Sequence, residues 1–397
     1  MNVLCLFQIF SFKTSTIYLD LVEELRDRGH RVFCLAGTSD VRVPAGVVRE
    51  HGVSTVYVRL DNQFSSDRLR KGMIQLTMGR IFYRAVKKNI WNEKIDLIIY
   101  PTPPVTFGNL VSKLKRHYKA KSYLMLKDIF PQNAVDLKMM KENSLACKYF
   151  SYLERKLYEA SDRIGCMSDA NMDYLKSHRR ELDPSKLELF PNTVKIKDIE
   201  AEDPGEETKN EQKDQIVFLF GGNLGKPQAI DFLLLCVERL KGYMKAGFTI
   251  IGSGTEQGMV EDYIREKKPA NLTYIPFLPR DEYEKLLKDA DVGMVILSPD
   301  FSIPNYPSRI LSYMQMAKPI LAVTDRVTDI HALVTYEARC GWWCPSDDPT
   351  AFIEAVEKIC ENQENLTELG NNGREYLKAN FNVGRSVDIL ENFMKEN

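Results

Sequence analysis

Two successive α/β domains with parallel sheets are what this sequence predicts, on three observations. Short apolar runs alternate with amphipathic helical stretches along most of the chain, the pattern of βαβ units whose strands are covered on both faces. The alternation stops once, at 195–215, where KIKDIEAEDPGEETKNEQKDQ offers almost nothing apolar to bury, and then starts again. With 397 residues, 44% of them hydrophobic, the chain can fill more than one core.

Taken in order, the first half carries strands at 2–8, 31–36, 96–100 and 122–126. The helix at about 15–28 puts Tyr18, Leu21, Val22 and Leu25 on one face and stops before Gly29, a residue suited to the position beyond a helix C-terminus. The polar stretch at 195–215 is the expected boundary, giving domains 1–200 and 201–384. Beyond it follow strand 216–220, helix 228–240, strand 248–251, helix 256–267, strand 272–275, helix 280–289 and strand 292–297. IPNYPSRILSYMQMAKPILAVTD, at 303–325, supplies the next helix and strand. Pro-Ser suits a helix entry, whose free N–H groups and positive dipole end attract anions. Arg309 in that first turn is misplaced for helix stability, so a negative group is expected to offset it. Open parallel sheets bind ligands outside the carboxyl ends of their strands, and the chemistry is expected between the two domains.

Charge is divided along the chain. Residues 1–200 hold 33 Lys and Arg against 23 Asp and Glu, while the remainder holds 21 against 32, so a net charge of −1 conceals +10 and −11. The segment 61–89 carries Arg68, Arg70, Lys71, Arg80, Arg84, Lys87 and Lys88 against Asp61 and Asp67, with Leu69, Met73, Leu76, Ile81 and Phe82 interspersed. It fits a basic amphipathic helix on an anionic membrane surface and, equally, a solvated helix face. Nucleic acid is not expected as a partner, because no binding module or aromatic platform accompanies the charge. No apolar run approaches bilayer length, and MNVLCLFQIF lacks a basic start and a cleavage site, reading as a first strand. The eight cysteines form no CxxC pair and read as reduced thiols of a cytoplasmic protein.

Three places in the second half hold small or cationic residues at strand ends. FGGNLGKPQ at 220–228 contributes Gly222, Asn223 and Gly225, which let backbone N–H groups approach a ligand, and Lys226 as a phosphate clamp; it lacks the GxxxxGK(S/T) pattern. IGSG at 251–254 adds Gly252 and Gly254, and the helix entry adds Ser308 and Arg309. Two cations and several free N–H groups on one sheet edge suit a diphosphate.

The succession FGGNLGKPQAIDFLL, IGSGTE, IPFLPRDEYEKLLKDADVGMVIL and YPSRILSYMQMAKPILA resembles the donor domain of retaining glycosyltransferase family 4, in particular its bacterial polysaccharide-synthesis members related to fucosamine transferases. PTPPVTFG, LKDIFPQN, CMSDANMDYL and FPNTV occupy the expected order in the first half. The resemblance implies the GT-B architecture: two Rossmann-like domains facing across a cleft, with a C-terminal helix at 385–397 crossing back to an acceptor-binding first domain. It implies that Lys226 and Arg309 hold the donor diphosphate, that Gly222, Asn223, Gly225, Gly252, Gly254, Ser308 and the backbone at Phe277 and Leu278 complete the donor site, and that UDP is the nucleotide. Acceptor contacts fall to Lys13, Thr14, Thr102 and Lys127, with Asp128 beside the chemistry.

The family's paired glutamates fall at Pro304 and Ser312, so sugar and ribose contacts pass to Asp300, Asn305 and Ser312, and its histidine before the aspartate is Lys127 here. The implied activity is transfer of a hexosyl or N-acetylhexosaminyl group to a lipid-linked or growing glycan in surface polysaccharide synthesis, at the inner face of the membrane. The nucleotide sugar is a co-substrate, with neither cofactor nor metal required. An epimerase or hydrolase of the same shape, or a non-catalytic partner subunit, are the alternatives. Asp289-Ala290-Asp291 has DxD spacing but reads as ordinary carboxylates at a helix-to-strand junction, the five histidines form no cluster, and Trp342-Trp343 read as packing.

Overall fold

A computed structural model describes residues 1–12, 16–40, 42–60, 68–199 and 214–396. The chain divides into two compact units, one comprising Met1–Lys195 with Val383–Asn397 and the other Ile196–Asn382.

In the first unit the elements run β1 (Asn2–Ile9), α1 (Ile17–Asp27), β2 (Arg31–Thr38), β3 (Gly46–Glu50), β4 (Val53–Arg59), α2 (Arg68–Asn89), β5 (Leu97–Pro101), α3 (Gly108–Tyr118), β6 (Lys121–Leu126), α4 (Gln132–Asp136), α5 (Leu145–Ala160), β7 (Arg163–Cys166), α6 (Asp169–His178) and β8 (Leu187–Leu189). The described strands form one sheet in the order β3-β4-β2-β1-β5-β6-β7-β8. Thr16 caps α1 through its side chain, and Gly29, at φ +82, ends the connection as its position after the helix predicts. Every neighbouring pair is parallel except β3 with β4, a departure from the all-parallel expectation. That antiparallel edge escapes the apolar-run reading because β3 alternates between partly buried and exposed residues. β7 and β8 escape it because they are only four and three residues long. Of the basic segment 61–89, residues 61–67 lie outside the described residues, and the rest forms α2.

The second unit runs β9 (Ile216–Gly221), α7 (Ile230–Arg239), β10 (Ala246–Ile251), α8 (Gln257–Lys267), β11 (Leu272–Ile275), α9 (Arg280–Asp289), β12 (Val292–Ile296), α10 (Arg309–Gln315), β13 (Ile320–Thr324), α11 (Ile330–Ala332), β14 (Gly341–Pro345), α12 (Pro349–Glu361) and α13 (Leu366–Asn380). Its sheet order is β11-β10-β9-β12-β13-β14, with every pair parallel. The helix expected at 228–240 starts two residues later, because Lys226–Gln228 form a tight 3-10 turn and Ala229 takes a left-handed φ of 41°. Phe218, Phe220, Phe248, Leu233, Val237 and Phe352 pack this unit's core between sheet and helices.

The chain then returns to the first unit as α14 (Val383–Lys395). Val383, Val387, Leu390 and Phe393 are buried in that unit's core with Val3, Val22 and Tyr123. At its rim Arg28 donates to Asp388 Oδ1 at 2.6 Å, and His30 Nε2 lies 2.8 Å from Glu391 Oε1.

Strand order reverses direction once in each sheet, between β1 and β5 and between β9 and β12. At such a point the loops on either side diverge to opposite faces and leave a crevice at the carboxyl ends.

Candidate functional site

The crevice of the second sheet is built by backbone. β9 ends at Gly221, and the loop after it runs beside the loop after β10: Gly222 N donates to Ile251 O, Leu224 N to Ser253 O and Glu256 N to Leu224 O, each at 2.9 Å. Gly222 and Gly252 adopt φ of +141° and +149°, and a Cβ on Gly252 would lie 1.8 Å from the Gly222 carbonyl oxygen. Only glycine permits loops this close. The glycines at 222, 225, 252 and 254, which the sequence reading treats as separate turns, are thereby joined. Ser298 N, just past β12, donates to Pro227 O at 2.8 Å and ties the 3-10 turn to the third strand end.

Arg309 lies against this assembly. Its Cζ sits 4.5 Å from the centre of the Phe220 ring, and a Cβ on Gly222 would come within 3.1 Å of the guanidinium. Burial pushes the guanidinium below its ordinary value, and the phenols of Tyr313 and Tyr283 pull it the other way. No carboxylate among the described residues pairs with it, and its buried Nη1 has no hydrogen-bond partner there. A buried cation left so is costly unless an anion arrives, which is the offset that its place in the helix predicts. Tyr313 in turn is fixed by its hydroxyl, which donates to Met294 O at 3.0 Å and accepts from Gly221 N at 3.3 Å. Tyr313 and Tyr283 are residues that the sequence reading misses. The only signal for Tyr313 is its place four residues after Arg309, on the same helix face; nothing local marks Tyr283.

One expectation changes at this helix. α10 has only seven residues, and Ser308 is itself in the right-handed helical region with no side-chain capping bond, so it is not the cap that Pro-Ser suggests. An Ncap residue normally has extended φ/ψ, which Ser308 at φ −64° and ψ −17° does not. Ser312 lies partly buried on α10, and Asn305 sits in the loop before it, its carbonyl accepting from Thr328 Oγ1 at 2.6 Å. Lys226 is exposed in the 3-10 turn, close enough to Glu256 to lower that carboxyl, which burial first and Asp231 next push up. Phe277 is 75% exposed in the loop after β11, next to Leu278, and Gly252 N donates to Ile275 O at the end of that strand.

In the first unit the structure brings Thr102, Lys127 and Asp128 together at the ends of β5 and β6. The buried Thr102 hydroxyl donates to Asp128 O at 3.0 Å and accepts from Lys127 N at 2.9 Å and Asp128 N at 3.2 Å. Asp128 Oδ2 accepts from Asn133 Nδ2, a residue that the sequence reading quotes within LKDIFPQN without a role. Burial raises the Asp128 carboxyl to about 7. Lys127 does not pair with it: the ammonium turns inward to Phe190 O at 3.4 Å, over the Phe190 ring, and burial lowers it to about 7. The side chain expected to meet the acceptor thus contacts the Phe190 carbonyl and ring of its own unit. Lys13 and Thr14 lie outside the described residues.

Asp291 Oδ2 accepts from Val217 N at 2.9 Å, so this carboxylate of the DxD pair, expected to be an ordinary surface group, ties the start of a strand, and among the described residues no group of His, Cys, Asp and Glu could hold a metal ion. Trp343 donates to Thr324 Oγ1 at 2.9 Å and stacks on His331, while Trp342 packs against the core.

Against known proteins, the family model for glycosyltransferase family 4 matches residues 14–198, and that for glycosyl transferases group 1 matches 203–376. A probable glycosyltransferase, WbjE of Pseudomonas aeruginosa, is 29% identical over 323 residues, covering 81% of this chain and 79% of WbjE. Sucrose-phosphate synthase from Thermosynechococcus elongatus superposes over 99% of both chains with a TM-score of 0.78 at 16% identity. Anabaena Alr3699/HepE, solved in complex with UDP, superposes over 100% of both chains with a TM-score of 0.66 at 13% identity.

Proposed function

Because the chain is a glycosyltransferase of family 4 type with the GT-B fold, we propose that it transfers a sugar, with retention, from a nucleoside diphosphate to a lipid-linked or growing glycan acceptor in surface polysaccharide synthesis. The observation that carries the donor side is Arg309, a largely enclosed guanidinium with no carboxylate partner among the described residues, set against a glycine loop at the switch point of the second sheet. UDP is the proposed nucleotide, in line with the ligand of the HepE structure.

The chemistry follows from charge. When the bond from the anomeric carbon to the phosphate oxygen breaks, negative charge grows on the leaving diphosphate. Arg309, Lys226 and the free N–H groups of the glycine loops are preorganised to stabilise it without a metal. The acceptor hydroxyl forms the new bond on the face just vacated and passes its proton to a leaving phosphate oxygen, which preserves configuration. Asn305 and Ser312 take the sugar and ribose contacts that Pro304 and Ser312 do not supply as carboxylates. On the acceptor side, Asp128, held by Thr102 and Asn133, orients the hydroxyl. The +10 first half draws the enzyme to an anionic membrane surface and a polyprenyl-diphosphate acceptor.

Turnover of UDP-sugar donors by Arg309→Ala and Lys226→Ala tests the reading. Losing one such preorganised group is expected to lower kcat by about two orders of magnitude, and rates near wild type in both variants overturn it.

A further inference from the structure

A trough of about 630 Å³ opens among α2, α3 and α5 of the first unit. Arg80 and Arg84 of α2 and Lys113 of α3 line it, with Tyr83, Tyr149 and Leu76, and none of its described lining residues is acidic. The Lys113 ammonium lies 5.2 Å from the centre of the Tyr83 ring. The first turn of α3, where Asn109 faces the trough, has neither an acidic residue nor a capping side chain. Among the described residues, the lining thus gathers positive charge with no carboxylate around a partly open volume.

The rim continues outward as an apolar stripe. Leu145 is 88% exposed, and Tyr149 and Tyr152 are each 47% exposed. Their spacing on α5 puts all three on one face of that helix. Tyr149 belongs to both stripe and trough, and Leu76 of α2, 45% exposed, meets it from the other side.

We propose that this face rests on an anionic bilayer, with the trough seating the phosphate of one lipid headgroup. Two arginine forks match phosphate oxygens in pairs, which a point charge does not. Exposed tyrosines suit the interface between headgroups and acyl chains, ring in the apolar layer and hydroxyl in the wet one. A nucleic acid would satisfy the cations but leave the Leu145 stripe in water. Basic helix α2 alone had suggested a membrane; the structure adds α5 and the trough, which no linear segment contains. The proposal deepens the membrane side of the proposed function and does not depend on the donor site.

The test is sedimentation of the full chain with phosphatidylcholine vesicles, plain or charged with phosphatidic acid, or charged equally with oleate. Phosphatidic acid vesicles should bind best. Arg80→Gln/Arg84→Gln should weaken that binding about thirtyfold, from the usual contribution of each cation at a membrane surface. Lys88→Gln/Arg116→Gln, an equal charge change outside the trough, should weaken it by about threefold or less if the seat dominates over diffuse attraction. Leu145→Ser/Tyr149→Ser should also reduce binding. Equal binding to plain vesicles, equal binding to oleate vesicles, equal loss in the two charge variants, or displacement by a short single-stranded nucleic acid each overturns the proposal. UDP-induced thermal stabilisation, measured on the same proteins, should be unchanged; its absence from wild type as well faults the donor reading and leaves the lipid seat standing.

Discussion

Arg309 and Asp128 show how burial gives a residue its meaning. Either charge in water would be unremarkable. Enclosed, Arg309 lacks a carboxylate partner among the described residues, and the Asp128 carboxyl is raised from 3.8 to about 7 by desolvation. A raised carboxyl stays protonated in the folded chain while the unfolded chain has ionised. The unfolded state therefore binds fewer protons between about pH 4 and pH 7, and stability falls across that window as pH rises. Asp128→Asn removes the effect. Its melting temperature should approach that of wild type near pH 4 and exceed it increasingly up to pH 7, with a constant gap above; a gap independent of pH would show that the carboxyl is not held protonated. The residue types at 128 and 309 were readable as candidates in the linear chain. The inward turn of Lys127 and the phenols around Arg309 were not, because side-chain direction depends on elements remote in sequence.

Among the elements of the first unit, β1, β2, β5 and β6 announced themselves, and β3, β4, β7 and β8 did not. β1, β2, β5 and β6 are nearly or wholly buried and read as continuous apolar runs, whereas β3 alternates and β8 is too brief to carry a period. α14 was expected as a helix at 385–397 and runs from Val383 to Lys395. Its amphipathic face is buried in the first unit's core, where Leu390 is 0% exposed. Truncating a buried leucine leaves a cavity, so Leu390→Ala should cost about 2–5 kcal/mol in denaturant unfolding. A loss below about 0.5 kcal/mol, the size of an ordinary surface change, would mean that the helix does not hold the core together.

For the whole molecule, one mainly parallel and one wholly parallel sheet, each with a reversal of strand order at its centre, reduce the search for chemistry to two crevices. The second holds the joined glycine loops and Arg309, so a nucleoside diphosphate should bind the folded chain alone. At a hundredfold excess over Kd, UDP is expected to stabilise by about 2.7 kcal/mol and to raise the melting temperature measurably. The Arg309→Ala protein should lose most of that rise. An unchanged rise in the variant would locate UDP elsewhere.

What the sequence determined by itself was periodicity and composition: two α/β halves, the polar break between them, an acidic second half behind a basic first one, and the glycine and cationic residues at strand ends. These are properties of neighbours along the chain, set by backbone geometry and local burial. Tertiary structure decided the rest: which loops lie side by side, that Ser308 does not cap its helix, that Lys127 turns to Phe190, and that three separate helices line one basic trough. Such facts depend on contacts between residues far apart in the chain, whose free energy no local pattern encodes.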